Sequence, residues 1–324
     1  MIAKRWTPVL GILALLIAAT VLGGCASPVA IVKDTTVRDE HRRMMDMQKN
    51  AEAASATGSP LKDLPEMDAR AMEQVGDNYV RQNNPSMAFV QYDKALGKDP
   101  KLESARYKRG MLLLSRGMND EALSEFESIL SRNPNNALAL EGRGRVHLAK
   151  NSFDAAMADF DQALASDPKL WQVHALRGYL YDQRKDHDQA IGEYEKAIAL
   201  QPNSSLLFNN LGMSRYLKGD YKGAAEAYAR AIQLDVNNRR AYNNLGLVLY
   251  KLGHDDDALL AFKHGGDEAA AYNNMGCLYM ADKKYDKARA AFEKAIGMRA
   301  SYFAKAHENL KKAESAITAG PTVQ

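Results

Sequence analysis

From Ala69 onward, small, aromatic and apolar positions recur along this chain at one spacing. Glycine stands at Gly76, Gly110, Gly144, Gly178, Gly212 and Gly246, each 34 residues after the last, and again at Gly276 after only 30. Behind each glycine comes an alanine (Ala88, Ala122, Ala156, Ala190, Ala224, Ala258, Ala288) and then an aromatic (Tyr92, Phe126, Phe160, Tyr194, Tyr228, Phe262, Phe292). Pro100, Pro134, Pro168 and Pro202 close the first four repeats, and Val236 and Ala300 occupy that place in later ones. Glycine and alanine let two helix backbones approach closely, and the aromatic fills the gap toward the next repeat. Proline ends the second helix because it has no N–H and clashes with the preceding turn. The pattern predicts seven helix pairs, over 69–102, 103–136, 137–170, 171–204, 205–238, 239–268 and 269–302. Phe303, Ala306, Leu310, Ala313 and Ile317 then form one apolar stripe opposite Lys and Glu. That stripe predicts a solvating cap helix over 303–317, followed by a tail at 318–324.

A 34-residue helix–turn–helix unit with these residues resembles the tetratricopeptide repeat (TPR) family. The resemblance implies an all-α, right-handed superhelical solenoid, a scaffold that binds partners. The four residues missing before Gly276 remove about one helical turn, or roughly 6 Å. They end the sixth unit at Gly265-Gly266, which is expected to tilt the last unit.

The units are of two kinds. Units two to four carry Arg109, Arg143 and Arg177 before the glycine, and Glu125, Asp159 and Glu193 before the aromatic. Units five to seven have Leu211, Leu245 and Met275 at the first place, and Ala227, Ala261 and Ala291 at the second. Charge accompanies charge, which predicts structural salt bridges Arg109–Glu125, Arg143–Asp159 and Arg177–Glu193, made as charge-assisted hydrogen bonds. The apolar units also carry paired asparagines: Asn209-Asn210, Asn243-Asn244 and Asn273-Asn274. In peptide-binding TPR proteins the second such Asn faces the concave groove and bonds the ligand backbone. The resemblance therefore implies a groove of Asn210, Asn244 and Asn274, with Met213, Leu247, Tyr216 and Tyr250 as an adaptable apolar surface. The alternative is that these asparagines bond locally.

Ahead of the repeats, Lys4 and Arg5 precede a short apolar run, Val9 to Leu22, that is too short to span a membrane comfortably. Residues 1–24 read as an export signal, and Leu22-Gly23-Gly24-Cys25 resembles the bacterial lipobox. A lipid on Cys25 would be the only non-protein group, and several acyl chains make such an anchor effectively permanent. Ala26, rather than Asp, after the cysteine points to the outer membrane by the usual sorting rule, with the repeats on its periplasmic side. Residues 25–66 read as the lipidated cysteine and a tether, broken at Ser55–Pro60. The whole chain has a net charge of +3, and +1 without residues 1–24, which gives no support for nucleic-acid binding.

Candidate chemistry is sparse. The chain has no phosphate-binding glycine loop, no dinucleotide fingerprint and no His pair at metal-ligand spacing. Asp255, Asp256 and Asp257 lie at an inter-helix turn, where they are expected to cap the second helix of unit six. No catalytic residue, metal site or small-molecule substrate is expected, and the chain does not read as an enzyme.

Two stretches carry a closer resemblance: Phe262-Lys263-His264-Gly265-Gly266-Asp267-Glu268-Ala269-Ala270-Ala271-Tyr272-Asn273-Asn274 and Ser301-Tyr302-Phe303-Ala304-Lys305-Ala306-His307-Glu308-Asn309-Leu310. With the lipobox and repeats they resemble the TadD family of TPR lipoproteins of tight-adherence (Flp) pilus assembly. That resemblance implies a protein partner at the outer membrane, a pilus secretin or an accessory assembly protein. A pilotin of another secretin system, or a periplasmic adaptor for proteases or cell-wall hydrolases, fits the same repeats.

Overall fold

The computed structural model describes residues 67–299 and 303–319. The export signal, Cys25, the tether and residues 320–324 lie outside the described residues. Those described are helical throughout, without a strand, and fall into two bodies, 67–173 and 174–319.

The first body holds α1 (Ala69–Arg81), α2 (Pro85–Lys98), α3 (Glu103–Ser115), α4 (Asn119–Leu130), α5 (Ala137–Ala149) and α6 (Phe153–Ser166). Helix α7 (Trp171–Gln183) begins at its end and runs into the second body. The second body continues with α8 (His187–Leu200), α9 (Ser205–Lys218), α10 (Tyr221–Leu234), α11 (Arg239–Lys251) and α12 (Asp255–Gly265). It closes with α13 (Glu268–Ala281), α14 (Tyr285–Gly297) and α15 (Ala304–Ala319). Helices pair as first and second members of successive units.

The recurring glycine and aromatic meet within each unit. A Cβ on Gly76 would lie 2.4 Å from the Tyr92 ring, and one on Gly144 would lie 2.5 Å from Phe160. Phe126 is held from both sides, by Gly110 of its own unit and by Gly142 of the next. Tyr92, Phe126, Phe160, Tyr194 and Phe292 are fully buried, each contributing about 1.5–3 kcal/mol of transfer free energy. At the C-terminal end Ala313 and Leu310 of α15 cover Phe292 and Ala288.

The turn between paired helices uses one left-handed residue per unit. Asn83, Gly117, Asn151, Lys185, Gly219, Gly253 and Lys283 have φ between 57° and 91°. Helix α10 has 14 residues and α12 has 11. The linker shrinks from residues 235–238 to 266–267, and α13 starts one residue early at Glu268, so the shortened repeat loses length from both helix and linker. Asn243 Nδ2 donates to the Gly265 carbonyl at 3.3 Å where α12 stops. Asp267 then caps α13, accepting from the Ala270 N–H at 2.7 Å.

One capping expectation is corrected. The N-cap of α12 is His254, which makes no side-chain cap bond, and Asp255, Asp256 and Asp257 lie inside the first turn. There they face the positive end of the helix dipole instead of capping its N–H groups. Asp255 also accepts from the Tyr279 hydroxyl at 2.9 Å, and burial together with Asp255 pushes that phenol up to about 12.

Candidate functional site

In the second body the first helices of units five to seven, α9, α11 and α13, carry the asparagine pairs. Asn244 Nδ2 donates to Asn209 Oδ1 at 3.0 Å, and Asn309 Nδ2 of α15 donates to Asn273 Oδ1 at 3.0 Å. The first Asn of one unit thus accepts from the next unit's first helix, or from the cap. Buried amides need partners, and these rungs supply them across the unit boundary. Asn244 is only 9% exposed and is used in this way. Asn210 and Asn274 are half-buried, and their side-chain amides make no hydrogen bond within the described residues.

The expected apolar surface is mostly core. Met213, Leu247 and Tyr250 are buried, the last two in a cluster with Phe262, Met275 and Leu278. Leu247 and Tyr250 pack where α11 meets Met275 and Leu278 of α13, and that contact removes them from the surface. Tyr250 donates to Asp282 Oδ2 at 2.7 Å, and burial followed by that bond raises its phenol. Tyr216 is half-buried and tilts against Tyr221, with ring centroids 5.5 Å apart. Three of the seven groove candidates are half-buried and not part of the fully buried core: Asn210, Asn274 and Tyr216.

The charged pairs differ among themselves. In the first body Arg109 bridges two helices, donating to Asp93 Oδ1 at 2.5 Å and Glu125 Oε1 at 2.7 Å. Arg143 grips Asp159 through Nη2 at 2.6 Å and Nε at 3.0 and 3.2 Å. In the second body Arg177 Nη2 stands 3.7 Å from Glu193 Oε1, an ion pair rather than the hydrogen bond expected. The Glu193 oxygens are already taken, by His174 Nδ1 at 2.7 Å and Lys196 Nζ at 2.8 Å. Burial pushes the Glu193 carboxyl up, but Lys196, His174 and Arg177 together hold it below the usual range.

Further polar clusters escaped the sequence reading. Lys108 joins Glu73 at 2.5 Å and Asp77 at 2.7 Å, and the Tyr107 hydroxyl donates to Glu141 at 2.6 Å. Their partners stand close to one repeat length apart, a spacing that could have revealed them. In the second body the buried Asp182 accepts from Ser214 Oγ at 2.5 Å and bonds His187 Nδ1 at 2.9 Å. Burial raises its carboxyl, against the pull of Ser214 and His187. Serine and histidine each bond the carboxylate and not each other, and through Ser214 the cluster ties α7 to α9 across the boundary between units four and five.

Helix pairs of this form, packed glycine to aromatic, define a repeat scaffold of the class that binds protein partners. Residues 107–170 and 153–205 match a family model described as Tetratricopeptide repeat, residues 212–253 one described as TPR repeat, and residues 269–302 another Tetratricopeptide repeat model. The chain belongs to the tetratricopeptide-repeat family. Its fold is similar to that of a tetratricopeptide repeat protein from Parabacteroides merdae, at 19% identity and TM-score 0.51, covering 76% of this chain and 98% of that one. It is also similar to Pseudomonas aeruginosa pilF, at 20% identity and TM-score 0.52, covering 68% and 99%. A thermophilic TPR protein of Thermus thermophilus is 18% identical with TM-score 0.50, over 56% and 99%. No curated protein sequence matches this chain.

Proposed function

We propose that this chain is a lipid-anchored scaffold on the periplasmic face of the outer membrane, holding a segment of a pilus secretin or accessory protein during Flp-type pilus assembly. The observation that carries the binding half is that Asn210 and Asn274, at the same place in units five and seven, are half-buried with side-chain amides unbonded among the described residues. An amide offers both donor and acceptor to a peptide backbone, without demanding a particular sequence. The anchoring half rests on the lipobox ending at Cys25, and the pilus half on the clipped sixth repeat and its cap.

Deleting the gene and measuring secretin abundance, secretin multimers and surface pili tests the pilus role, and all three are expected to fall. Unchanged levels of all three would reject it. The Asn210→Ala/Asn274→Ala double variant tests the groove in the full-length, membrane-localised protein. It should retain its helical signal and lose capture of the secretin, whereas Asn244→Ala should mainly lower stability.

A further inference from the structure

Two cations of the second body stand in one register without a counter-ion. Arg240 of α11 and Lys305 of α15 each precede a fully buried alanine, Ala241 and Ala306. On the helix between them, α13, Ala270 precedes the fully buried Ala271. The three residues therefore hold equivalent places on successive helices. Each also lies four residues before an asparagine: Asn244, Asn274 and Asn309. Residues four apart share one helix face, so the cations run beside the asparagines, one turn nearer the helix N-termini.

Both cations are half-buried, and neither makes an ion pair or a hydrogen bond within the described residues. Burial alone pushes the Arg240 guanidinium below its usual range. Burial also lowers the Lys305 ammonium, against the pull of Glu308. A cation that loses water without gaining an acid costs the folded chain stability, whereas one standing free on the surface stays hydrated. The acids nearest in sequence are committed elsewhere: Asp267 to Arg299, Glu268 to Lys263 at 2.6 Å, and Glu308 to Lys312 at 2.7 Å. Arg109 and Arg143, by contrast, find their acids inside the repeats. Between Arg240 and Lys305 stands the small, uncharged Ala270, with the unbonded amide of Asn274 one turn further along α13.

We propose that Arg240 and Lys305 are two anchors for an acidic, extended segment of the partner protein, a reading that rests on the groove of Asn210 and Asn274. Packed helices lie about 8–10 Å apart, so the two steps from α11 to α15 separate the anchors by about 16–20 Å. An extended chain advances about 3.3 Å per residue, and carboxylates six residues apart span about 20 Å on one face of it. The segment that fits carries aspartate or glutamate at both of those places, with its backbone on the Asn274 amide between them. Charge complementarity of this kind selects the partner more than it tightens the complex.

The test follows the anisotropy of a rhodamine-labelled peptide of serine and valine, with two glutamates six residues apart, as the full chain is added. Its analogues carry two glutamines at those places, or two glutamates only two residues apart. The first peptide should bind saturably below millimolar, about tenfold tighter than either analogue, and should weaken as salt rises. Arg240→Gln and Lys305→Gln should each weaken it about five- to tenfold. Both variants should keep or raise the urea midpoint, because each removes a charge that the free chain leaves unpaired; a lowered midpoint would mark an internal role and overturn the proposal. Equal binding of the glutamate and glutamine peptides to the unmodified chain would also overturn it. If Asn210→Ala/Asn274→Ala then weakened both peptides alike, the groove itself would stand. Binding of none of the peptides would overturn both readings. Displacement of the first peptide by phosphatidylglycerol vesicles and not by phosphatidylcholine ones would make the occupant a membrane surface, and would overturn the proposal too.

Discussion

Replacing Arg143 by leucine, alone and together with Asp159→Ala, converts unit three to the residues that unit five uses at the same two places. Asp159 is the vulnerable partner. Its side chain is 7% exposed, and it takes three contacts from the guanidinium, at 2.6, 3.0 and 3.2 Å. Arg143→Leu leaves that carboxylate buried, and breaking a buried pair from one side costs about 3–5 kcal/mol. One feature holds the cost near the lower end: His147 Nε2 stands 3.7 Å from Asp159 Oδ2 and stays as a polar neighbour when the guanidinium is removed. The expected loss for Arg143→Leu is therefore about 3 kcal/mol at pH 7.

Asp159→Ala should cost less, about 1–2 kcal/mol, because Arg143 is 28% exposed and can turn its head to water. The double variant removes both charges and should fall within about 1 kcal/mol of the parent, giving a coupling of about 3–4 kcal/mol. Urea unfolding of all four proteins, followed by far-ultraviolet circular dichroism, reads the cycle. A double variant as weak as the two single losses combined would refute the view that leucine with alanine and arginine with acid are equivalent solutions to one packing problem. So would a loss below about 1 kcal/mol for Arg143→Leu.

Three further outcomes follow from the same geometry. Gly144→Ala puts a methyl 2.5 Å from the Phe160 ring and should lower stability by about 1–3 kcal/mol in thermal melts, whereas Gly192→Ala, with nothing within 4 Å, should raise it by about 0.5–1 kcal/mol. Lys283→Gly at φ 58° should gain up to about 1 kcal/mol in the same assay, since the left-handed region costs a side-chain-bearing residue about 1–2 kcal/mol and glycine's entropy returns only part of that. Glu193 and Asp182 should respond to acid in opposite ways in urea melts at pH 7 and pH 4. Glu193, held low when folded, contributes stability present above the unfolded carboxylate range and lost as pH falls through its folded value, so Glu193→Gln should be weaker at pH 7 and less so at pH 4. Asp182, raised when folded, costs stability as pH climbs through that window, so Asp182→Asn should narrow the penalty at pH 7.

How far the sequence could be read depended on whether a position acts within its own unit or between units. Gly144 and Phe160 are sixteen residues apart, and their partnership repeats in every unit, so spacing alone exposes it. The Arg143–Asp159 pair was legible for the same reason, because both members change together between the two kinds of unit. Asn244 was misread because its partner, Asn209, lies 35 residues away in the preceding unit. An asparagine facing a ligand and one bonding the neighbouring helix look alike in a single sequence. Leu247 and Tyr250 were misplaced by the same ambiguity, since the position that faces a groove also faces the next first helix. Glu193 shows the limit most clearly. Its place opposite Arg177 was readable, but the competition from His174 and Lys196 that turns a hydrogen bond into a 3.7 Å ion pair depends on three residues that no periodic rule links. Repetition reveals whatever the repeat itself requires, so the residues that break it are where partner-specific function should be sought. In this chain those are the unbonded amides of Asn210 and Asn274 and the shortened sixth unit.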